Sequence, residues 1–363
     1  MRIAYIINSL EGGGAAAPVP AVVRVMAASG ATVEVFALSR RDGRAIPGFD
    51  AADVRWSVSP AGKSQHLRAA SWLWGELRRF RPTCLWTSLT QATLIGQAIG
   101  RMLGLPVASW QHNAFLRPGN LALLRRTRAL TALWVADSES VAELSSARLG
   151  VPAGRMAVWP LFEARPDAPQ AAPWRPGETF RLGSLGRLHP NKGYDVLIDA
   201  LARLQAMTDT DLPPFEVLVG GEGGQRAQLE AKAAAHGVTR FRLAGFQRDP
   251  GAFLAGLHGY LQPSRAEGLC IAAHEAMQAG LPVIAADVGE MPRSIHNREE
   301  GFVTPSEDAP ALADAIVAIL KDPGRSRQMG QAARQRVLER FGQDRFAAAG
   351  GEAVARLAAM SKA

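Results

Sequence analysis

The sequence contains few cysteines, no long hydrophobic run and no internal repeat of solenoid period. Its two cysteines, Cys84 and Cys270, lie far apart, which argues against a disulfide framework and indicates a reducing, cytoplasmic environment. No stretch approaches about 18 consecutive apolar residues, so we expect no membrane-spanning helix. Residues 1–8 form a short apolar run without a cleavage-site pattern, which indicates a first β-strand rather than a signal peptide.

The sequence also lacks any recognised nucleic-acid-binding module, although its isoelectric point is about 10.1. Residues 1–165 contain 19 basic and 10 acidic residues, whereas the remaining residues contain 22 basic and 23 acidic residues. The excess positive charge therefore lies in the first half of the chain. A basic domain favours anionic partners such as phospholipid headgroups or polyprenyl diphosphates, and we expect no nucleic-acid partner.

The length and the apolar pattern predict two α/β domains. A chain of 363 residues suits two domains of about 150–200 residues each. Short apolar runs alternate with amphipathic stretches, which is typical of parallel sheets whose strands are connected by helices. The predicted strands are 3–8, 32–38, 84–87, 107–111, 133–136, 180–185, 215–219, 240–244, 259–262 and 282–285.

A proline-rich segment separates the two predicted domains. Residues 164–177 contain four prolines and little hydrophobic periodicity, which is typical of an interdomain linker. We therefore predict an N-terminal domain over 1–165, a linker over 166–178, a second domain over 179–335 and C-terminal helices over 336–363. The helical spacing of the C-terminal stretch is broken at Gly342 and at Gly350-Gly351.

Two glutamates eight residues apart, Glu267 and Glu275, form the most informative local pattern. The residues after Glu267 predict a turn and a helix that ends at Gly280, followed by a buried strand. The spacing places Glu267 before the helix and Glu275 about two turns into it, on a similar face. Free N–H groups at a helix N-terminus suit an anion or sugar hydroxyls, and carboxylates accept hydrogen bonds from such hydroxyls. A capped, solvent-exposed helix is the alternative.

Glycine or charged side chains also follow three other predicted strands. Gly12-Gly13-Gly14 follows the first strand, where the backbone must turn and approach a ligand closely, or simply make a tight turn. Arg187 and Lys192 follow strand 180–185, and their cations suit a diphosphate if they are not merely solvated. His112 follows strand 107–111 at a sheet edge where open α/β folds bind ligands, although a lone histidine is often structural.

The glycine run permits one rival interpretation. Gly12-x-Gly14-x-x-Ala17 approximates a dinucleotide-binding fingerprint. The second predicted strand ends without the acidic residue that would bind the ribose of NAD, but Arg40 would tolerate a 2′-phosphate. An NADP-dependent oxidoreductase is therefore an alternative.

Five segments in order resemble glycosyltransferase family 4, and together they cover most of the chain. They are residues 135–140, 185–193, 219–223, 243–246 and the E-x7-E pattern of Glu267 and Glu275. The resemblance implies a GT-B fold, with two Rossmann-like doubly wound parallel-sheet domains that face each other across a cleft. It also implies that the C-terminal helices over 336–363 cross back onto the N-terminal domain. It also implies a metal-independent hexosyltransferase that takes a UDP- or GDP-linked sugar as substrate, needs no cofactor and retains the anomeric configuration. Epimerases and non-catalytic sugar-nucleotide-binding proteins of the same fold remain alternatives.

The resemblance implies a role for each candidate residue. Glu267 and His112 act at the transferred sugar, Glu275 binds the ribose hydroxyls, and Arg187 and Lys192 bind the diphosphate. The other implied donor-binding residues approach the nucleobase, the phosphates or the sugar, and they are Gly13, Gly14, Phe246, Gly268, Leu269, Cys270 and Ile271. Members of the family often have a small residue where this sequence has Cys270, which implies a narrower sugar pocket here.

Peripheral attachment to a membrane would fit an acceptor that is a glycan or a lipid-linked glycan in cell-envelope, lipopolysaccharide or exopolysaccharide assembly. Residues 63–80 combine tryptophans, leucines and basic residues at helical spacing. With Arg125, Arg126 and Arg128, this helix either docks the protein peripherally on an anionic inner membrane face or is an ordinary core helix with basic solvent-facing positions. Asp209-Thr210-Asp211 matches the metal-binding D-x-D motif of another transferase fold, but its polar surroundings predict a solvated loop and no metal site.

Overall fold

The computed structural model describes residues 1–62, 64–113, 116–207 and 211–360, which form two compact units. Unit 1 comprises residues 1–163 together with the chain from Gln343, and unit 2 comprises residues 164–342. The predicted linker 166–178 thus belongs to unit 2, and the chain returns to unit 1 at residue 343 rather than at 336. Within the described ranges, no helix combines the length and the apolar composition that crossing a membrane requires.

Each unit is built on one parallel sheet. In the described part of unit 1 the strands are β1 (Arg2–Ile7), β2 (Thr32–Ala37), β3 (Trp56–Val58), β4 (Cys84–Ser88), β5 (Val107–Gln111), β6 (Leu133–Ala136) and β7 (Met156–Val158). In the described part of unit 2 they are β8 (Phe180–Leu185), β9 (Phe215–Gly220), β10 (Phe241–Gly245), β11 (Gly259–Gln262), β12 (Val283–Ala286) and β13 (Gly301–Thr304). The strand orders are β3-β2-β1-β4-β5-β6-β7 and β10-β9-β8-β11-β12-β13.

Helices connect the strands, as parallel pairing requires. The helices of unit 1 that precede unit 2 are α1 (Val19–Ala28), α2 (Ile46–Ala51), α3 (His66–Phe80), α4 (Thr90–Leu103), α5 (Pro118–Thr127) and α6 (Glu139–Leu149). Those of unit 2 are α7 (Tyr194–Ala206), α8 (Arg226–Ala235), α9 (Pro250–Ala255), α10 (Ile271–Gln278), α11 (Met291–Ser294), α12 (Ala309–Lys321) and α13 (Pro323–Phe341). The last helix, α14 (Gln343–Met360), belongs to unit 1.

Three buried tryptophans explain how α14 packs in unit 1. The rings of Trp110 and Trp159 stack with centroids 4.8 Å apart, Trp86 packs edge-on against both, and Phe346 of α14 lies 5.5 Å from Trp159. A Cβ atom at Gly350 would lie 2.4 Å from the Trp159 ring. The interpretation of Gly350-Gly351 as a helix break was therefore wrong, because the helix continues and Gly350 allows it to approach the indole.

Both sheets have a point between two neighbouring strands where the strand order reverses direction. In unit 1 this point lies between β1 and β4, and in unit 2 it lies between β8 and β11. Ligands of open α/β sheets bind at the carboxyl ends of the strands at such a point. The loops that follow β1, β4, β8 and β11 are therefore the places to look for a site.

Candidate active site

Lys192 and Glu267 meet at the point of unit 2 where the strand order reverses. Lys192 ends a 3-10 turn (Pro190–Lys192) that follows β8, and Glu267 lies in the loop that follows β11. The ammonium Nζ of Lys192 lies 2.6 Å from Oε1 of Glu267, although the two residues are 75 positions apart in the chain. Adjacent parallel strands bring their carboxyl ends to the same edge, and this pairing follows from the strand order.

The carboxylate of Glu267 is held by donors from its own loop as well. Oε1 accepts hydrogen bonds from the Ser264 hydroxyl at 2.6 Å and from the Gln262 amide at 3.0 Å. The Glu267 side chain is 10% exposed and that of Lys192 is 22% exposed. Burial works against the charge of Lys192, but the carboxylate of Glu267 outweighs it and raises the pKa of the lysine. The site therefore contains a fixed negative charge and a fixed positive charge in contact.

Cys270 lies beside this pair in an unusual backbone conformation. Its φ of 64° is left-handed, which L-residues other than glycine, asparagine and aspartate rarely adopt, and it caps the N-terminus of α10. Burial raises the pKa of the thiol, and the negative charge of Glu267 raises it further. The thiol is therefore protonated and buried, and the structure offers no route to a reactive thiolate at this position.

The N-terminus of α10 presents free backbone donors. Among the described residues, no acceptor is found for the N–H groups of Gly268, Leu269, Cys270 and Ile271. Three of these residues precede the helix and Ile271 begins it, so their N–H groups lie where the helix dipole favours negative charge. This arrangement suits a phosphate or the hydroxyls of a sugar.

Glu275 lies just over one turn into α10, not two turns as predicted, because the helix begins only at Ile271. Burial raises the pKa of its carboxyl to about 7, and the nearby Arg165 opposes this effect. Within the described ranges, no hydrogen bond to the side-chain carboxylate of Glu275 is present, and only its backbone carbonyl accepts one, from the N–H of Ala279 at 2.9 Å. The carboxyl is thus poised between its neutral and ionised forms near neutral pH, and it is available to a ligand.

Two further predicted residues of unit 2 are exposed at the same sheet edge. Arg187 follows β8, is exposed, and makes no hydrogen bond or ion pair with a described residue. Phe246 follows β10 and is 40% exposed, which is unusual for a large apolar side chain. Neither residue contributes to the core of unit 2.

In unit 1, His112 lies in a polar group that sequence reasoning found only in part. Nε2 of His112 lies 2.7 Å from the Ser88 hydroxyl oxygen, and Nδ1 lies 3.6 Å from Oδ2 of Asp137. Ser88 and Asp137 are buried, and they stand at the carboxyl ends of β4 and β6, on either side of β5. A polar residue lies at the end of each of the strands β4, β5 and β6, and this sequence pattern would have identified Ser88 and Asp137.

The glycine loop after β1 is tied to a neighbouring loop of unit 1. The N–H of Gly12 donates to Oδ1 of Asp42 at 3.0 Å, and the chain then passes through Gly13 at φ 152° into a turn that leads to α1. A Cβ atom at Gly13 would meet nothing within 4 Å. Gly13 therefore has open space beside its backbone, as a ligand loop needs.

Metal ligands are sparse in the described part of the chain. Asp209 and Thr210 of the D-x-D sequence lie outside the described residues. The one group with suitable spacing there is His296, Glu299 and Glu300, whose ligand atoms lie within 4.8 Å of one another. His296 and Glu299 are exposed, and Glu300 accepts a hydrogen bond from the N–H of His296 at 2.7 Å. Glu300 is buried and also lies 3.8 Å from Arg336, so its carboxylate already has a cationic partner.

Family models match both halves of the chain. A model described as glycosyl transferases group 1 matches residues 170–336, and a model of Glycosyltransferase Family 4 matches residues 12–162. The phosphatidyl-myo-inositol mannosyltransferase of Mycobacterium leprae is 29% identical over 368 residues, which cover 95% of this chain and 89% of that protein. A glycogen synthase of Mycobacterium tuberculosis is 30% identical over 204 residues, or 55% of this chain, and the match spans only 45% of the synthase.

Solved structures share the whole architecture. The Anabaena HepE structure in complex with UDP and glucose superposes with a TM-score of 0.82 and 18% identity, covering 99% of this chain and 100% of that one. The sucrose-phosphate synthase from Thermosynechococcus elongatus superposes with a TM-score of 0.83 and 20% identity, covering 99% of both chains. At these identities the likeness shows the fold alone, and this fold is GT-B, as the sequence predicted.

Proposed function

Because this chain belongs to glycosyltransferase family 4, we propose that it transfers a hexosyl group from a nucleoside diphosphate sugar to an acceptor hydroxyl, with retention at the anomeric carbon. The observation that carries this proposal is the Lys192–Glu267 contact at the strand-order reversal of unit 2, beside the free N–H groups before α10. A diphosphate needs fixed cations and N–H donors, and a sugar needs a fixed carboxylate acceptor.

Each group has a defined task in the proposed reaction. Arg187 and Lys192 bind the diphosphate and stabilise the negative charge that develops on the leaving group. Glu275 accepts hydrogen bonds from the ribose hydroxyls, and the N–H groups of residues 268–271 donate to a phosphate or to sugar hydroxyls. Glu267 orients the transferred sugar. These cations do the work that a metal does in other transferases, so we propose that the reaction needs neither metal nor cofactor.

The environment of Glu267 supports a role other than that of a nucleophile. Its Oε1 already accepts hydrogen bonds from Lys192, Ser264 and Gln262, which lowers its tendency to attack carbon. In the proposed step the acceptor oxygen bonds to the anomeric carbon while the bond from that carbon to the phosphate oxygen breaks. The acceptor proton passes to the departing phosphate on the same face of the sugar, so configuration is retained.

His112 contributes from unit 1 in this proposal. Its ring nitrogens face Ser88 and Asp137, so we assign the contact with the donor sugar to the backbone carbonyl of His112. The partial negative charge of a carbonyl oxygen suits the positive charge that develops at the anomeric carbon. Gly13 and Gly14 are assigned to the donor on the family resemblance, because glycine lets a backbone approach a ligand closely.

We also propose that the acceptor is a lipid-linked glycan of envelope or exopolysaccharide assembly, reached at an anionic membrane face. In α3, Leu67 is 89% exposed next to exposed Arg68, and in α5, Leu123 is 48% exposed near exposed Arg125 and Arg126. Apolar side chains among arginines favour binding to an anionic bilayer surface. Co-sedimentation with vesicles of anionic and of zwitterionic lipid tests this, and equal binding to both, or to neither, would contradict it.

A ligand screen tests the donor site directly. The melting temperature of the protein is measured with UDP, GDP, ADP and their common sugar conjugates, in EDTA and again in Mg²⁺. We expect one nucleoside diphosphate to stabilise the protein equally in both buffers. A shift only with Mg²⁺ would contradict metal independence. A shift with NADPH and none with any nucleoside diphosphate would remove the transferase proposal. Isomerisation of the sugar nucleotide without an acceptor would instead indicate an epimerase.

A further inference from the structure

Arg265 connects the two loops that carry Lys192 and Glu267. Its Nη1 donates to the carbonyl oxygen of Pro190 at 2.7 Å, and its backbone N–H donates to the carbonyl oxygen of Asn191 at 2.8 Å. Pro190 and Asn191 are the two residues that precede Lys192 in the same 3-10 turn. The loop after β11 therefore holds the backbone of this turn through a side-chain bond and a main-chain bond.

The guanidinium of Arg265 is itself fixed by two carboxylates. Asp195, in the first turn of α7, accepts two hydrogen bonds from it, at 2.8 and 2.7 Å. Glu307 accepts a third from Nε at 2.8 Å. Bidentate pairing orients a guanidinium plane in a way that a lysine ammonium does not reproduce. The side chain is 28% exposed, so these contacts serve to orient the group more than to stabilise the fold.

The two loops also touch through their backbones. Gly193 has a φ of 65°, and a Cβ atom there would lie 1.9 Å from the carbonyl oxygen of Pro263. The turn that carries Lys192 is thus held by Arg265 on one side and by Gly193 packed against Pro263 on the other. With the turn held in this way, the Lys192 ammonium lies 2.6 Å from Oε1 of Glu267.

We propose that Arg265 is a positioning residue that sets the place of the Lys192 ammonium for the donor diphosphate. This inference rests on the proposed function, in which Lys192 binds that diphosphate. Arg265 bonds to the carbonyls of the turn rather than to the ligand, so its effect on the ligand passes through Lys192. Loss of Arg265 leaves the ammonium present but removes one of the two attachments of the turn that carries it.

A double-mutant cycle tests the inference. Dissociation constants for UDP, with GDP and ADP in parallel, are measured by calorimetry for the wild type, Arg265→Gln, Arg265→Lys, Lys192→Gln and the double variant Arg265→Gln/Lys192→Gln. We expect Arg265→Gln to weaken nucleotide binding by about tenfold and Arg265→Lys to weaken it less. Substitutions at coupled residues do not have additive effects on binding, so the double variant should bind as weakly as Lys192→Gln alone.

Controls separate positioning from a loss of stability. Arg226→Gln removes an exposed ion pair with Glu230 in the same unit and should leave the dissociation constant unchanged. If Arg265→Gln does not fold, Asp195→Asn weakens the bidentate contact more gently and should still weaken nucleotide binding. A dissociation constant of Arg265→Gln equal to that of the wild type would overturn the inference. It would also be overturned if the double variant lost as much binding free energy as the two single variants together. Absence of binding by the wild type would overturn the proposed function itself.

Discussion

The Ser88 hydroxyl lies within hydrogen-bonding distance of His112, 2.7 Å from Nε2 of its ring. With the hydroxyl as donor to Nε2, the proton sits on Nδ1 and points toward the Asp137 carboxylate, 3.6 Å away. The opposite tautomer would direct the Nδ1 lone pair at that carboxylate, which is electrostatically unfavourable. Ser88 thus orients a histidine that follows the neighbouring strand.

Replacement of Ser88 by alanine should lower kcat by roughly tenfold, because His112 loses the bond that fixes its ring, and the backbone carbonyl assigned to the donor sugar is then held less firmly. Asp137→Asn should have an effect of similar size. The control is Ser109→Ala, which removes hydrogen bonds to Thr131 and Thr87 in the same sheet without touching His112. Of the two serine variants, only Ser88→Ala should show a lower kcat in steady-state kinetics. Melting curves should show a loss of stability for both variants. Equal kcat values for the two would contradict the role of Ser88.

Glu275 should make nucleotide binding depend on pH. Its pKa of about 7 in the free protein means that the carboxyl is largely neutral at pH 6 and largely ionised at pH 8. Ribose hydroxyls donate to the ionised form, so the dissociation constant for the nucleotide should rise as the pH falls through 7. Calorimetry across this range should show the effect in the wild type. Glu275→Gln should bind the nucleotide more weakly than the wild type at pH 8, and its dissociation constant should be nearly independent of pH.

Ionisation of the Glu275 carboxyl should strengthen nucleotide binding but lower the stability of the folded protein. Its folded pKa lies above the ordinary value of 4.5, so its contribution to stability is present below about pH 4.5 and is lost as the pH rises through 7. Glu275→Gln is therefore expected to raise the melting temperature at pH 8 and to change it little at pH 5. A lower melting temperature at pH 8 would show that the ionised carboxylate has a stabilising partner.

Lys192 and Glu267 should be needed for turnover and not for folding. Glu267→Gln and Lys192→Ala should each lower kcat by about a hundredfold or more, because each removes a charge aimed at the reacting groups. Breaking the half-buried pair should also cost stability, but circular dichroism should still show a folded protein. Asp199, which pairs with Lys232 on the surface of unit 2, offers a control, and Asp199→Asn should keep normal turnover. Near-normal turnover in both site variants would remove the site assignment.

Two neighbouring glycines of α14 should respond to alanine in opposite ways. A Cβ atom at Gly350 would lie 2.4 Å from the Trp159 ring, so Gly350→Ala should lower the stability of unit 1 by about 1–3 kcal/mol. At Gly351 the nearest atom is 3.9 Å away, and Gly351→Ala should stabilise the helix by up to about 1 kcal/mol. Denaturant unfolding of the two variants measures both effects. A gain in stability for Gly350→Ala would show that α14 does not pack closely on Trp159.

Much of the fold was predictable because its central strands are buried on both faces. A strand covered by helices on both faces is largely apolar, and the predicted spans 107–111, 133–136, 180–185 and 259–262 coincide with β5, β6, β8 and β11. The missed strands β3, β7 and β13 lie at sheet edges and have only three or four residues each. Short edge strands need fewer apolar residues, so their pattern resembles that of a loop.

The sequence alone determined which residue types could bind a sugar nucleotide, because the chemistry of Glu267, Glu275, Arg187 and Lys192 resides in the side chains themselves. It also predicted their location after strands or at the start of a helix. Only the tertiary structure decided which of them meet. Lys192 contacts Glu267, and Ser88 contacts His112, because parallel strands distant in the chain become neighbours in a sheet. Strand order arises from packing over the whole domain, which no local pattern records.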